Sequence, residues 1–121
     1  FLYRMGGEEF LILSITKDSH GGAVLAEKTR IATSKLPVEY KGQQITVTVS
    51  CGLSHCHGDE APEASLNHLL SRADKALYAA KGRGRNQICT YENMIVDQVD
   101  PPPRLVRKKQ HMGLVATPEV D

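Results

Sequence analysis

The chain has 121 residues, a formal net charge of +1 and 40% hydrophobic residues, which bounds it to about one small domain. Nearly balanced charge gives no case for nucleic acid or an anionic membrane surface as partner. No run of about 18 apolar residues is present to span a bilayer.

Phe1 has no basic segment before it and Arg4 interrupts the first apolar run, so no signal peptide is expected. The first residue is not Met and already reads as mid-strand. The expectation is therefore the C-terminal part of a larger domain, with its N-terminal part missing. Cys51, Cys56 and Cys89 are an odd number with no framework spacing, and a reducing cytoplasm is the default for such a set.

Two short apolar runs, Phe1 to Met5 and Phe10 to Ile15, flank Gly6-Gly7. That arrangement predicts a hairpin, because tight turns need positive φ and glycine supplies it without steric cost. Thr16 to Gly22 reads as a loop. From Ala23 to Leu36 the positions Leu25, Thr29, Ala32 and Leu36 recur at helical spacing, with Glu27, Lys28 and Arg30 elsewhere on the cylinder. Pro37 stops that helix.

Lys41-Gly42 marks a turn. Ile45, Val47 and Val49 then alternate with Thr46, Thr48 and Ser50, which predicts a strand with one apolar and one polar face. The stretch "HCHGDEAPEA" reads as loop. A helix follows on the stripe Leu66, Leu69, Leu70, Ala73, Leu77 and Ala80, ended by Gly82 and Gly84. Gln87 to Tyr91 is a short closing strand. Residues 97–121, with three consecutive prolines, a basic cluster and no periodicity, read as a linker or disordered tail. Strands alternating with helices argue for an α/β or α+β sheet carrying helices on its faces.

Chemistry concentrates at the first bend. Glycines leave the backbone bare, so a phosphate can approach Gly6 and Gly7 closely. Glu8 and Glu9 offer the carboxylates that a hard cation such as Mg²⁺ takes alongside substrate phosphate oxygens. A solvated hairpin tip is the plain alternative. Asp74, Tyr78, Lys81 and Arg85 follow at intervals of four, three and four and fall on roughly one side of the second helix and its extension. Lys81 and Arg85 thus bring cations to the helix end. A solvated helix edge is again the alternative, since cations there also suit the helix dipole.

Three stretches then resemble one family in order and spacing. "RMGGEEF" is similar to the signature of the GGDEF family, the diguanylate cyclases, in the variant with glutamate third. "ADKALYAAKGRGRNQ" looks like that family's closing helix motif, and "ITVTVSCGLS" resembles the strand between them. The likeness covers roughly Phe1 to Tyr91, within a C-terminal domain part at residues 1–96.

That resemblance implies a palm-like antiparallel central sheet flanked by helices. It also implies condensation of two GTP molecules into cyclic di-GMP, with Mg²⁺ or Mn²⁺ as cofactor and a homodimer presenting one GTP per protomer. By position it implies Gly6 and Gly7 beside the nucleotide, Glu8 and Glu9 at the metal and in catalysis, and Lys81 and Arg85 on the phosphates. Glu8 and the Lys81/Arg85 pair would converge on one triphosphate. Phe10 is expected in the core, and Asp74, Tyr78 and Asn86 as structural residues. The family's first metal aspartate, guanine-reading residues and inhibitory product site all lie before this hairpin. The chain alone is therefore expected to be inactive, and the parent to carry an upstream sensory or regulatory domain. The competing expectation is a degenerate GGDEF module that binds GTP or cyclic di-GMP, or only dimerises.

Other signals are set aside. Cys51, His55, Cys56, His57 and Asp59 suggest zinc, but no second, distant ligand pair accompanies them. "RLVRKK" (Arg104 to Lys109) could meet an anionic surface, though clusters near a terminus are usually solvated. "GRGRN" has no aromatic platform for RNA.

Overall fold

The apolar runs around Gly6-Gly7 do form a hairpin. In the computed structural model, which describes residues 1–57, 62–96 and 112–121, β1 (Leu2–Gly6) pairs antiparallel with β2 (Glu9–Thr16). The register shifts by one between Arg4 and Gly6. Such a bulge sharpens the local twist and leaves Glu8 in the turn itself.

Helix α1 (Ser19–Lys35) starts ahead of the expected Ala23, inside the stretch read as loop. The cause is a cap. The Asp18 carboxylate accepts from the Gly21 N–H at 2.9 Å, satisfying one of the orphan donors of the first turn. That contact outweighs the poor helix propensity of Gly21-Gly22.

The expected strand from Ile45 to Ser50 is split. β3 (Val38–Tyr40) and β4 (Gln43–Ile45) make a separate two-stranded ribbon around Lys41-Gly42, where φ is +50° and +76°. Residues 46–48 join no ladder, and the main-sheet strand β5 (Val49–His57) begins after them. Helix α2 (Pro62–Gly82) follows. β6 (Ile88–Thr90) then pairs parallel with β5. A short α3 (Tyr91–Val96), which the sequence pattern does not announce, begins where Thr90 Oγ1 accepts from the Asn93 N–H at 3.2 Å.

The largest correction concerns the tail. Residues 97–111, including the basic cluster, lie outside the described residues. Met112–Val120, expected to be unstructured, is strand β7 and takes the third place in the five-stranded order β1-β2-β7-β5-β6. It runs antiparallel to both neighbours.

Pro118 hides this strand in the sequence, since proline cannot donate to a ladder and argues against a central position. The structure accommodates it at a gap. On the β2 side the register holds Glu9 opposite Glu119 and Ile12 opposite Ala116, with no ladder pair between them.

Period-two alternation along β5 sets the layers. Val49, Cys51 and Leu53 pack with Ala26 of α1. On the other face, Gly52 lies against the backbone of α2, and Ser54 Oγ donates to the Leu69 carbonyl at 2.6 Å. Leu69 and Ala73 of α2 pack with Leu11 of β2. The result is a mixed α+β fold with a largely antiparallel sheet between α1 and α2, the architecture expected from the sequence. Phe10, expected in the core, is half-buried.

A Cβ at Gly52 would sit 2.1 Å from the Ala73 carbonyl oxygen and 2.3 Å from the Leu77 nitrogen. Both are backbone atoms, so relief requires moving the helix. Gly52→Ala is expected to destabilise the fold by about 3 kcal/mol, the upper range for overpacking. Urea unfolding checks this, and an unchanged midpoint would show that α2 is not seated there as described.

Candidate functional site

The hairpin tip is open backbone. Gly6 and Gly7 have φ of +153° and +54°, and a Cβ at either would meet nothing within 4 Å. Arg4 fixes the tip by donating to the Gly7 carbonyl from Nε at 3.1 Å and Nη2 at 2.8 Å. Glu8 and Glu9 both border the depression beside these glycines. Two adjacent carboxylates therefore share one concave surface, helped by the bulge.

Glu9 also reaches a second cavity. A cleft of about 330 Å³ between the hairpin and α2 is lined by Glu9, Asp74, Tyr78 and Lys81 over an apolar floor that includes Leu11 and Leu77. The i, i+4 and i+7 spacing of Asp74, Tyr78 and Lys81 puts them on one face of α2. Burial pushes the Asp74 carboxyl above its ordinary value, and the Glu9 charge adds to the effect. Two like charges thus face each other in the cleft. Tyr78 is 82% exposed and stands at its mouth rather than in the core.

Arg85 reaches a different neighbour. It and Asn86 are consecutive non-glycine residues with positive φ, +65° and +47°, a costly conformation that surrounding contacts must hold. The Arg30 guanidinium of α1 does so, donating to Asn86 Oδ1 at 2.8 Å and to its carbonyl at 3.3 Å. Glu27 grips Arg30 in turn with contacts of 2.6 and 2.9 Å. The charge of Arg85 acts on Asp121 just beyond β7. The structure therefore brings Glu9 and Lys81 to one cleft, leaves Glu8 on the neighbouring depression that it shares with Glu9 and the hairpin glycines, and places Arg85 on the lining of neither. The expected meeting of Glu8 with Lys81 and Arg85 at one cleft is not what the geometry gives.

Sequence reasoning missed Arg30, Ser50, Thr48 and Asp121. Only the i, i+3 pairing of Glu27 with Arg30 left a trace, and that spacing is common on solvated helices.

The cysteine-histidine stretch is also resolved in part. Cys51 is buried in β5, and desolvation pushes its thiol up to about 12, so it is a poor thiolate ligand at neutral pH. Asp59 lies outside the described residues. Among the described residues no group of three or more His, Cys, Asp or Glu is gathered to hold a metal ion. Glu8 and Glu9 supply only a carboxylate pair. That fits a hard cation that keeps its waters and takes substrate oxygens, and does not fit an all-protein cage.

The family profile described as "Diguanylate cyclase, GGDEF domain" matches residues 1–87. The chain belongs to the GGDEF family. Diguanylate cyclase DgcP of Pseudomonas aeruginosa is 39% identical over 88 residues, covering 73% of this chain and 12% of that protein. Diguanylate cyclase A of Treponema denticola is 34% identical over 90 residues, covering 74% of this chain and 24% of that one. The response regulator PleD of Caulobacter vibrioides is 36% identical over 88 residues, 70% of this chain and 18% of its own length. The chain thus spans a quarter or less of these relatives. No solved structure matches significantly. Among the described residues of this GGDEF chain, no helix is long and apolar enough to cross a membrane.

Asp74 of the GGDEF chain gives a pH test. A carboxyl raised in the folded state binds its proton more tightly there than in the unfolded chain. Stability from this group therefore falls as pH rises from the ordinary carboxylate value through the folded one. Glu9→Gln leaves only burial as a cause, so it should lower the Asp74 pKa and flatten that slope. Carboxyl-carbon NMR titration checks this; an unmoved Asp74 would mean that the two charges do not face each other.

Proposed function

We propose that this chain is the catalytic-site half of a diguanylate cyclase, acting in the cytoplasm as part of a longer protein with an upstream regulatory domain. The observation that carries this reading is the shared cleft. Glu9 from the glycine-bearing hairpin and Lys81 from α2 border one cavity, in a chain that matches the cyclase family over residues 1–87.

The reaction is phosphoryl transfer. The 3′-hydroxyl oxygen of one GTP forms a bond to the α-phosphorus of a second, the bond to the β-phosphate side breaks, and pyrophosphate leaves. The hydroxyl proton passes to solvent water as the new bond forms. A second such step closes the ring, so two copies of the domain must face each other, each holding one GTP.

Such chemistry asks the protein mainly for positioning and charge stabilisation. The open backbone at Gly6 and Gly7 admits the nucleotide closely. Glu8 and Glu9 would hold Mg²⁺ or Mn²⁺, and that ion would supply charge for the phosphate oxygens when bound. A carboxylate committed to a cation has a depressed pKa, so Glu8 serves as a ligand before it serves as a base. Lys81 neutralises phosphate charge from the α2 side of the cleft, and Arg85 contributes from the sheet end. Tyr78 at the mouth and Asp74 within shape the entrance.

The test restores the upstream segment and measures cyclic di-GMP formed from GTP with Mg²⁺. The longer protein should turn GTP over, the 121-residue chain alone should not, and Glu8→Ala should lower the rate by roughly 100-fold or more, as for loss of a charge-stabilising group. Full activity in Glu8→Ala would remove Glu8 from the site. GTP binding without turnover in the longer protein would leave a binding module in place of an enzyme.

A further inference from the structure

Three donors of different kinds converge on one carboxylate just past β7. Asp121 Oδ2 accepts from Thr48 Oγ1 at 2.8 Å and from the Asn86 N–H at 2.9 Å. Its Oδ1 accepts from Ser50 Oγ. Burial opposes ionisation of Asp121, but the hydrogen bonds from Ser50, the Asn86 N–H and Thr48, with the charge of Arg85, together hold its carboxyl below the ordinary value.

Part of the cradle, the contact between Ser50 and Asn86, is held without its occupant. Ser50 is fully buried, and its Oγ also accepts from the Asn86 N–H at 3.1 Å. That N–H leaves a turn with two successive positive-φ residues, and backbone N–H groups exposed by such turns make anion-binding concavities. Arg30 pins the turn through Asn86 Oδ1 and its carbonyl. The nearest competing acid on α1, Glu27, is already engaged by Arg30. Two hydroxyls and one N–H make a donor set for an oxyanion, and phosphoryl oxygens offer more acceptors than a carboxylate does.

The location ties this cradle to the hairpin. The Val120 N–H donates to the Glu8 carbonyl at 3.1 Å, and the Asp121 N–H to the Thr48 carbonyl at 2.9 Å. Asp121 therefore follows directly on the residue that ties β7 to Glu8, in the hairpin that the proposed cyclase reading assigns to the metal ion.

We propose that Thr48, Ser50 and the Asn86 N–H form a cradle for a phosphoryl group, and that the Asp121 carboxylate fills it as an internal competitor. An incoming phosphoryl group must displace Asp121 and, with it, the tie between the end of β7 and Thr48. Only the choice between free phosphate and a nucleotide as ligand rests on the cyclase reading.

Calorimetric titration of the 121-residue chain and of Asp121→Ala with inorganic phosphate, and separately with GTP, tests this. Asp121→Ala should bind inorganic phosphate at least tenfold more tightly than the parent chain, and adding Ser50→Ala should abolish the gain. An equal gain for GTP assigns the cradle to a nucleotide phosphoryl group. A gain for phosphate alone keeps the cradle and detaches it from the cyclase reading. No gain for either anion, with the β7 amides still protected from hydrogen exchange, overturns the proposal. Should Asp121→Ala expose β7, Asp121→Asn decides. It removes the charge while retaining an acceptor oxygen, so a gain of at least threefold supports the cradle and an unchanged affinity overturns it.

Discussion

Backbone hydrogen bonding along both edges of β7 joins the β1-β2 hairpin and the β5-β6 pair into one five-stranded sheet. β2 and β5 each pair with β7 and not with each other. Without it both would present rows of unpaired donors and acceptors, a costly state when buried and a sticky one when exposed. The hairpin carrying Glu8 and Glu9 hangs from β2, and the turn carrying Arg85 is tied to β5 through Ser50 and β6. The spacing of the acidic and basic parts of the site thus depends on a strand distant in sequence from both.

The sequence was legible where local chemistry and final structure agree. Gly6-Gly7 demanded a turn and made one. The stripe from Leu66 to Ala80 demanded a buried helix face, and Leu69, Ala73, Leu77 and Ala80 are buried, while Leu66 at its start is exposed. It was less legible where a long-range contact decides. Asp18 extends α1 through two glycines by a single side-chain bond. Residues 46–48 carry a good strand pattern yet leave the ladder, because β4 pairs with β3 and β5 with β7. β7 itself contains Pro118, and only its two partners override what proline says locally.

The site divides in the same way. Glu8, Glu9 and Lys81 stand out in the sequence because acids beside glycines and a cation on a helix edge are unusual together. The cleft shared by Glu9 and Lys81 follows from hairpin and helix geometry. Arg85 looked like a partner of Lys81 by spacing, but it sits in a left-handed turn with Asn86 and does not line the Lys81 cleft. What fixes that turn, Arg30 reaching Asn86 from another element, has no signature in one sequence. Its salt bridge to Glu27 looks like ordinary surface decoration, yet only a fifth of the Arg30 side chain is exposed.

Direct seating of α2 on the bare backbone at Gly52 gives the two walls of the cleft unequal stiffness. Contact between main chains leaves no side-chain rotamers to absorb displacement, so Asp74 and Lys81 stand on a helix seated directly on β5. The opposing wall is a bulged hairpin whose outer strand is wholly exposed. Of the two walls, the glutamate side is the one that ends in open backbone, and the lysine side the one anchored by main-chain contact.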